Sequence, residues 1–451
     1  MAGEWRSVRL GDICTKLGSG ATPRGGSAVY VETGPFALIR SQNVHTDGFR
    51  HDGLAYISIE HAAELANVEV LRDDVLLNIT GDSVARACQV DAGILPARVN
   101  QHVTIIRPDR HILDARFLRY YLVSPAVQST LRSWAASGAT RNALTKDMIA
   151  SLNVNAPEAL SEQRAIAHIL GTLDDKIELN RRMSETLEAM ARALFKSWFI
   201  DFDPVRAKAE GRDPGLPKPI ADLFPARLVD SDLGEVPEGW EVVPLPQAIE
   251  VNPKRSLRKG QIAPYLDMAS MPTRGHAPSD VADREFGSGM RFINGDTLLA
   301  RITPCLENGK TAFVDFLRDG EVGWGSTEYI VLRPTPPLPA EFAYCLARSR
   351  EFREFAVQSM TGSSGRQRVP AESLAHFRLA VPTTRVAREF ARRVTALFAR
   401  SSAAVTASRS LAALRAALLP KLISGELRFE APVARGVSTT KPAGALRRTV
   451  S

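Results

Sequence analysis

Apolar side chains recur at steps of three and four along Leu160–Phe199, a stretch that contains no proline. These positions are Ile166, Ile169, Leu170, Leu173, Ile177, Met183, Leu187, Met190, Leu194 and Trp198. Such steps are the period of an α-helix, and the run is longer than most globular helices. At 1.5 Å per residue, it would span roughly 55 Å. A helix with one apolar stripe needs a surface to cover that stripe, so the pattern predicts a partner.

A second stripe, across Arg385–Leu419, supplies the candidate partner. Its apolar positions are Phe390, Val394, Leu397, Phe398, Val405, Leu411, Leu414 and Leu418. We expect antiparallel pairing, because it would match both stripes over their full length and keep the domains that precede the helices apart. The predicted core of the pair is Leu170, Leu173, Ile177, Leu187, Leu194, Val394, Leu397, Leu411 and Leu418. Polar positions in the predicted seam, which favour specific pairing over maximal stability, are Asn180, Ser184, Ser401 and Ser408.

The remaining segments alternate short β-favouring runs with turn residues. In residues 1–156 the runs Phe36–Ile39, Val75–Thr80 and His102–Arg107 predict strands, and Ala115–Leu131 predicts a helix. Residues 201–237 carry six prolines with several Gly and Asp, so we expect a linker or an extended strap without packed elements.

The pattern then starts again in the second half of the chain. Matching pairs of short motifs begin at Trp5 and Trp240, Asp74 and Asp296, His102 and Glu328, Phe117 and Phe342, Ser137 and Thr361, and Pro157 and Pro382. Pro157 and Pro382 differ by 382 − 157 = 225, and Lys196 and Lys421 by 421 − 196 = 225. Two unrelated α/β domains would not give ordered matches at a nearly fixed offset.

The expected fold class is therefore α+β: two β-rich α/β domains joined by two long antiparallel coiled-coil helices, with a pseudo-two-fold internal repeat. The predicted divisions are a first domain (1–156), a long helix (157–200), a linker (201–237), a second domain (238–382), a distal helix with a closing segment (383–429) and a disordered basic tail (430–451).

Composition narrows the class of protein only slightly. The formal net charge is +7 and the pI is near 9.3, which is compatible with a polyanionic partner. The four cysteines are scattered and form no C-x-x-C pair, so neither a zinc site nor a disulfide framework is predicted. No run is apolar enough to cross a bilayer, and we expect a cytoplasmic protein.

Motifs for catalysis are missing. Asn308-Gly-Lys-Thr ends like a phosphate-binding loop, but Pro304 stands where its first glycine should be. There is no G-x-G-x-x-G opening a helix, no H-E-x-x-H, no G-x-S-x-G and no Asn/Asp-Pro-Pro-aromatic loop of a base methyltransferase. We therefore expect a non-catalytic chain without a metal site.

Polar and basic side chains suited to DNA are concentrated in the loops of both halves. Arginine can bind guanine O6/N7 and Asn or Gln adenine N6/N7, while Ser, Thr and Lys mostly hold phosphates. The candidates are Ser19, Thr22, Arg24, Arg40, Gln42, Asn43, Asn100, Gln101, Thr140, Arg141, Asn142, Arg255, Lys259, Arg274, Arg301, Lys310, Ser363, Arg366, Gln367 and Arg368. The alternative is that loops are polar in any protein, and it holds for any one residue taken alone. By contrast, Asp74 and Asp296 are interpreted as structural turn residues, and Trp198 as a plug at the end of the helix pair.

At this point the sequence resembles the specificity subunits of Type I restriction–modification systems. The resemblance extends from Trp5 to Phe429. It rests on Phe202-Asp-Pro-Val-Arg-Ala-Lys-Ala-Glu-Gly-Arg, Leu233-Gly-Glu-Val-Pro-Glu-Gly-Trp, Leu418-Leu-Pro-Lys-Leu-Ile-Ser-Gly-Glu-Leu, Gly18-Ser-Gly-Ala-Thr-Pro-Arg and Glu162-Gln-Arg-Ala-Ile. One departure is the start of the second helix, Thr384-Arg-Val-Ala-Arg-Glu-Phe, which lacks the Glu-Gln-x-x-Ile of the first.

The resemblance implies two target recognition domains, each reading one half of a bipartite, asymmetric DNA site. It implies two methyltransferase subunits and restriction/translocase subunits as partners, with S-adenosylmethionine, ATP and Mg bound by those partners and no cofactor in this chain. It also implies association with the nucleoid when bound to DNA. Two other hypotheses stay open here: a scaffold or orphan assembly subunit that does not read DNA, and an enzyme with an unrecognised site.

Overall fold

The computed structural model describes residues 4–137, 142–363 and 365–428. The chain divides into two compact units. Unit 1 comprises Met1–Asp175 with Leu411–Ser451, and unit 2 comprises Lys176–Ser410. Each division falls inside a long helix, so each unit contains part of both helices.

Unit 1 is built mainly from short strands. Its strands are β1 (Trp5–Arg9), β2 (Cys14–Ser19), β3 (Phe36–Ile39), β4 (Val44–His45), β5 (Gly48–Phe49), β6 (Ala55–Ile57), β7 (Glu69–Val70), β8 (Val75–Asn78), β9 (Ala87–Gln89), β10 (Ala97–Val99), β11 (Val103–Pro108) and β12 (Asn153–Pro157). Its helices are α1 (Ile59–Glu64), α2 (Ala115–Val123), α3 (Pro125–Ala136) and α4 (Lys146–Ser151), followed by the long α5 (Leu160–Phe199), which continues into unit 2.

Unit 2 repeats this plan after an additional segment. Its strands are β13 (Leu228–Ser231), β14 (Gly234–Pro237), β15 (Glu241–Pro244), β16 (Ile249–Val251), β17 (Ile262–Leu266), β18 (Ala282–Glu285), β19 (Met290–Phe292), β20 (Thr297–Ala300), β21 (Thr311–Phe313), β22 (Gly323–Gly325), β23 (Tyr329–Pro334) and β24 (Arg378–Val381). Its helices are α6 (Asp203–Ala209), α7 (Lys218–Ala221), α8 (Leu245–Ala248), α9 (Ala340–Ala347), α10 (Arg350–Gln358) and the long α11 (Thr384–Ser424), which ends in unit 1.

The strand orders confirm the internal repeat. Unit 1 has a four-stranded sheet β2-β11-β8-β9, a second sheet β6-β3-β10-β7 and a closing pair β1-β12. Unit 2 has the corresponding sheets β16-β23-β20-β21 and β18-β17-β22-β19 and the pair β15-β24. In both, one inner pair is parallel, β3 with β10 and β17 with β22.

A buried ion pair is also repeated, and it confirms the structural interpretation of the two aspartates. Asp74 lies just before β8 with no exposed surface, and its carboxylate accepts bonds from Arg107 of 2.6 and 2.8 Å. Asp296 lies just before β20 and is equally buried, 2.5 Å from Arg333 on β23. Each carboxylate also accepts a bond from a backbone N–H three residues earlier, which closes the turn before the strand.

The long helices pair antiparallel within each unit, as predicted. In unit 1, Asp174 of α5 lies 2.6 Å from Arg415 of α11. In unit 2, the hydroxyls of Ser184 and Ser401 are 2.6 Å apart, and the rings of Phe195 and Phe390 are 6.2 Å apart. Residue numbers rise along α5 as they fall along α11, which defines the antiparallel sense.

The seam follows the predicted stripe with some exceptions. Leu170, Leu187 and Val394 are buried. The other predicted core positions are half-buried, namely Leu173, Ile177, Leu194, Leu397, Leu411 and Leu418. Met190 and Leu414, which share the apolar period, are 53% and 47% exposed and lie outside the seam. The buried polar residues Asn180, Ser184 and Ser401 occupy it instead. Trp198 is 1% exposed and packs edge-on against Phe224, as expected for a plug at the end of the pair.

The prediction that residues 201–237 contain no packed element is wrong. They form α6, α7 and the β13–β14 hairpin, and five of their apolar side chains are buried in the main core of unit 2. These five are Phe202, Val205, Ile220, Phe224 and Val236. Prolines at the first turns of α6 and α7 do not break these helices, because the first turn needs no donor there. The predicted helix Ala115–Leu131 is likewise two helices, α2 and α3, separated at Ser124 before Pro125.

The helices of the described ranges include none that is both long and apolar enough to span a bilayer.

Candidate nucleic-acid interface

One edge of the sheet β2-β11-β8-β9 gathers several candidate residues of unit 1. β11 is antiparallel to both neighbours, with Thr104 opposite Ser19 and Val103 opposite Asn78. The end of β2, the end of β8 and the start of β11 therefore lie side by side. The loops at these three points form what we call the unit 1 edge, and its polar residues are Ser19, Thr80, Asn100, Gln101, His102 and Asn142.

Hydrogen bonds fix the loops of the unit 1 edge to one another. The Thr80 hydroxyl lies 2.7 Å from Nδ1 of His102, and the Gln101 amide nitrogen lies 3.0 Å from its Nε2. Asn100 Oδ1 accepts from the His102 backbone at 3.0 Å. Asn142 is exposed, and its carbonyl accepts from Gly81. The edge is therefore an organised array of amide, hydroxyl and imidazole groups, in which Asn100 is buried and holds its own loop, as Asn43 does below.

Arg40, Gln42 and Asn43 reach the same edge, because β3 and β10 are parallel and end together. Asn43 has no exposed surface, and its amide donates to the carbonyls of Arg50 and Asp52. It holds its own loop, so we remove it from the candidate DNA contacts. Arg40 and Gln42 both donate to the Gly53 carbonyl, at 2.5 and 3.0 Å, and are partly committed to the same loop.

Of the four remaining unit 1 candidates, two lie within the described residues and two do not. Thr22 and Arg24 are exposed, and Arg24 lies 3.8 Å from Glu64. Thr140 and Arg141 lie outside the described residues, so their role stays a prediction.

The corresponding edge of unit 2 carries charged groups. Arg301 follows β20, Glu328 precedes β23, and Arg368 is bridged to Ile302. Lys310 precedes β21 and donates to the Met268 carbonyl at 2.5 Å. We call this set the unit 2 edge, and its members are Arg301, Lys310, Glu328, Ser363, Arg366, Gln367 and Arg368.

An ion-pair cluster organises the unit 2 edge. Nε of Arg368 lies 2.8 and 2.9 Å from the two carboxylate oxygens of Glu328, and Nε of Arg301 lies 4.0 Å from the same carboxylate. Ser363 and Arg366 are exposed, and the backbone carbonyl of Gln367 accepts a hydrogen bond from the Thr303 N–H. Sequence reasoning did not select Glu328, although the repeat aligned it with His102.

The three other predicted contacts of unit 2 are spread over separate loops. Arg255 reaches Asp296, which precedes β20, whereas Arg301 follows that strand, so the two lie at opposite ends of β20. Lys259 is exposed in the loop that follows Arg255. Arg274 is exposed in the loop before β18, and the Pro272 carbonyl of that loop accepts from the Thr311 N–H, next to Lys310 of the edge. The structure therefore does not bring Arg255, Lys259 and Arg274 to the edge as a group.

Groups that could do chemistry are held in structural roles. Burial raises the pKa of Cys14 and of Cys88 to about 12, so neither thiol is a nucleophile near neutral pH. In unit 2, Nε2 of His276 lies 3.1 Å from Asp315 and its Nδ1 lies 3.4 Å from Ser401, so the two ring nitrogens are exchanged relative to a serine nucleophile triad, where Nε2 faces the serine. Ser401 is 1% exposed in the helix seam, where no substrate reaches it. Among residues 4–137, 142–363 and 365–428, no three His, Cys, Asp or Glu are placed to hold a metal ion.

These features define a class of protein: two repeated β-rich modules with polar edges, joined by paired long helices and suited to reading a polyanion. Residues 2–189 match the model of the Type I restriction modification DNA specificity domain. The chain is 23% identical to the specificity subunit of the Type I restriction enzyme HindI from Haemophilus influenzae, over 94% of this chain and 100% of that protein. It is 32% identical to the EcoEI specificity subunit from Escherichia coli over 33% of this chain and 26% of that protein.

A solved structure shows the same fold. The S subunit of the Type I restriction–modification system from M. genitalium superimposes with a TM-score of 0.55 at 14% identity, covering 93% of this chain and 96% of that one. The first part of the chain matches the Type I DNA specificity domain, and nearly the whole chain is similar in sequence to a Type I specificity subunit. The matched domain and these relatives are named for DNA sequence specificity, so the comparisons favour a DNA-reading role over the scaffold hypothesis.

Proposed function

We propose that the unit 1 edge and the unit 2 edge each read one half of a bipartite, asymmetric DNA site. The observation that carries this proposal is that the same strand ends present different side chains in the two units. Equal folds explain why there are two half-sites, and unequal edges explain why the halves differ in sequence. Arg, Asn and Gln would contact base edges, and Ser, Thr and Lys would hold phosphates.

The chain itself is non-catalytic in this proposal. It would act in the cytoplasm, at the nucleoid when bound to DNA, with two methyltransferase subunits and with restriction/translocase subunits. Those partners would bind S-adenosylmethionine, ATP and Mg. Support comes from the sequence, which lacks the phosphate-binding and methyltransferase motifs that such chemistry requires. Turnover of a methyl donor by the purified chain alone would contradict this part.

Binding measurements on the complex with methyltransferase test the DNA-reading role. At a stated salt concentration, the complex should prefer duplexes with its target over scrambled duplexes of equal length and composition. If target and scrambled duplexes bound with equal affinity, whichever partner subunits were present, the result would favour the scaffold hypothesis.

We further propose that α5 and α11, which run through both units, set the gap between the half-sites. Inserting one heptad into both helices, at the matched points after Asp175 and after Ser410, adds about 10 Å of helix. The tolerated gap should widen by about three base pairs while both half-site sequences stay unchanged. Methylation sequencing measures the gap. An unchanged gap would refute the proposal that the two helices set it.

A further inference from the structure

The two edges can be compared position by position. Thr80 is bridged to Ala143 in unit 1, and Ile302 is bridged to Arg368 in unit 2. Arg368 and Ala143 differ by 368 − 143 = 225, the same offset as that of Pro157 and Pro382. Arg368 therefore stands where unit 1 has an alanine.

The other members of the cluster are equally specific to unit 2. Glu328 immediately precedes β23, as His102 immediately precedes β11. Arg301 immediately follows β20, as Ile79 immediately follows β8. Unit 1 thus has His, Ala and Ile where unit 2 has Glu and two Arg.

This contrast separates the cluster from the groups that build the fold. The buried pair of an aspartate with an arginine occurs in both repeats, at Asp74 and at Asp296, so the shared fold uses it. The cluster of Glu328 occurs in one repeat only, and the same strands form in the other without it. Its role therefore lies in what unit 2 does and unit 1 does not.

The geometry holds Arg368 in a defined orientation. Its Nε bonds to both oxygens of Glu328, and its Nη1 donates to the Arg366 carbonyl at 3.1 Å. The Arg368 side chain is still 42% exposed, whereas that of Glu328 is 24% exposed. Glu328 is itself fixed, because its backbone N–H donates to Ser326 and its carbonyl accepts from Arg301. Nε and Nη1 are therefore held in place, while the side chain keeps a large exposed surface.

A carboxylate at a DNA-binding edge is unfavourable by itself, because it repels the phosphates, so its presence calls for an explanation. Shared between two arginines, Glu328 neutralises part of their charge and so weakens attraction to any DNA backbone. A guanidinium that is already oriented loses less conformational freedom on binding than a mobile one. Both effects favour base reading over phosphate holding.

We propose that Glu328 is a positioning residue that aims Arg368 at a guanine in the half-site bound by unit 2. The guanidinium would donate to guanine O6 and N7 in the major groove. This inference rests on the proposed DNA-reading function, and it assigns one base preference to one edge.

The test is a base-by-base substitution series on the target duplex, with the chain in complex with its methyltransferase subunits. The variants are Arg368→Ala, Glu328→Gln and the double variant, with Glu238→Gln as control, because Glu238 forms an exposed pair with Arg227 in the same unit. The wild-type complex should prefer G·C at one position of one half-site by roughly tenfold or more. Arg368→Ala and Glu328→Gln should both flatten the preference at that position, and the double variant should match Arg368→Ala. The control should leave every preference unchanged.

Other outcomes would overturn the inference. If Arg368→Ala weakened binding equally whatever base stood at each position, Arg368 would be a phosphate contact. If Glu328→Gln and Arg368→Ala changed the preference at different positions, Glu328 would not act through Arg368. Thermal unfolding of each variant detects loss of the fold, and Glu328→Asp, which keeps the charge, should retain part of the preference. Absence of any sequence preference in the wild-type complex would instead contradict the proposed function itself.

Discussion

The unit 1 edge and the unit 2 edge stand on corresponding strand ends, yet hydrogen bonds to His102 organise one, and ion pairs with Glu328 organise the other. Around His102 the unit 1 edge offers hydroxyl, amide and imidazole groups. Around Glu328 the unit 2 edge offers two guanidinium groups. What the repeats share, such as the buried aspartates before β8 and β20, holds the sheets together. The side chains that they do not share lie at the edges. Two edges that bind half-sites of different sequence, as proposed, need different side chains there.

The largest expected effect comes from breaking a shared element. Asp296→Ala removes a fully buried carboxylate that Arg333 and Arg255 contact. Because it leaves arginine charge without its partner, we expect a loss of about 3 kcal/mol in the free energy of unfolding. Denaturant titration measures it, with Glu238→Gln as the exposed control. A loss under about 1 kcal/mol would show that this pair is not needed for the shared fold.

A somewhat smaller effect is expected in the helix seam, the other shared element. Leu187→Ala should cost about 2 kcal/mol because it leaves a cavity in a packed interface. Leu179→Ala is the matched control on the same helix, since Leu179 is 57% exposed, and it should cost under about 0.5 kcal/mol. Neither variant should change the bases preferred in either half-site. A change of base preference with Leu187→Ala would mean that the seam takes part in reading.

Substitutions at the two edges should affect specificity and leave stability nearly unchanged. Arg366→Ala, at an exposed position of unit 2, should relax one position of one half-site by about 1–3 kcal/mol. Arg141→Ala should do the same in the other half-site. Methylation sequencing with each variant checks both predictions, and relaxation of both half-sites by one variant would contradict the separate reading of the two edges.

The smallest effect concerns a cluster found in unit 1 only. Asp174 accepts bonds from Arg119, Tyr120 and Arg415, and Ala399 stands at the same offset in the second repeat, since 399 − 174 = 225. Burial alone would raise the pKa of Asp174, but Arg119 and Arg415 hold it below the ordinary value of 3.8. The stabilisation is therefore present above pH 3.8 and is lost as the pH falls through the lowered pKa.

Asp174→Asn should accordingly reduce the free energy of unfolding near neutral pH, and its difference from wild type should shrink as the medium becomes acidic. Asp175→Asn is the neighbouring control, with a side chain 72% exposed. A constant difference across that pH range would show that the ionised carboxylate is not the stabilising species.

Periodicity made the long helices predictable, because Leu160–Phe199 and the region after Thr384 follow one period over ten turns or so. The repeat made the strand order of unit 2 predictable from that of unit 1. The packing of residues 201–237 could not be predicted, since Phe202, Val205 and Phe224 are separated by prolines and follow no period. Their burial depends on contacts with distant parts of unit 2.

The edges were predictable only as regions. Residue type alone predicted Asn43 as a contact, although its amide is hydrogen-bonded within its own loop. It did not predict Glu328, because a carboxylate is not a typical DNA contact. Which polar groups of a loop face inward depends on the turns and pairings that the strands impose. Those pairings are long-range, so local sequence does not contain them.

Genome-wide methylation mapping tests the central claim most directly. It would be done in cells that carry the methyltransferase subunits, without this chain, with the wild-type chain and with Arg366→Ala. The wild-type chain should produce methylation at a bipartite, asymmetric motif that is absent without it, and Arg366→Ala should alter one half of that motif only. Methylation that does not depend on the chain, or a change in both halves at once, would contradict the claim that two unequal edges read two unequal half-sites.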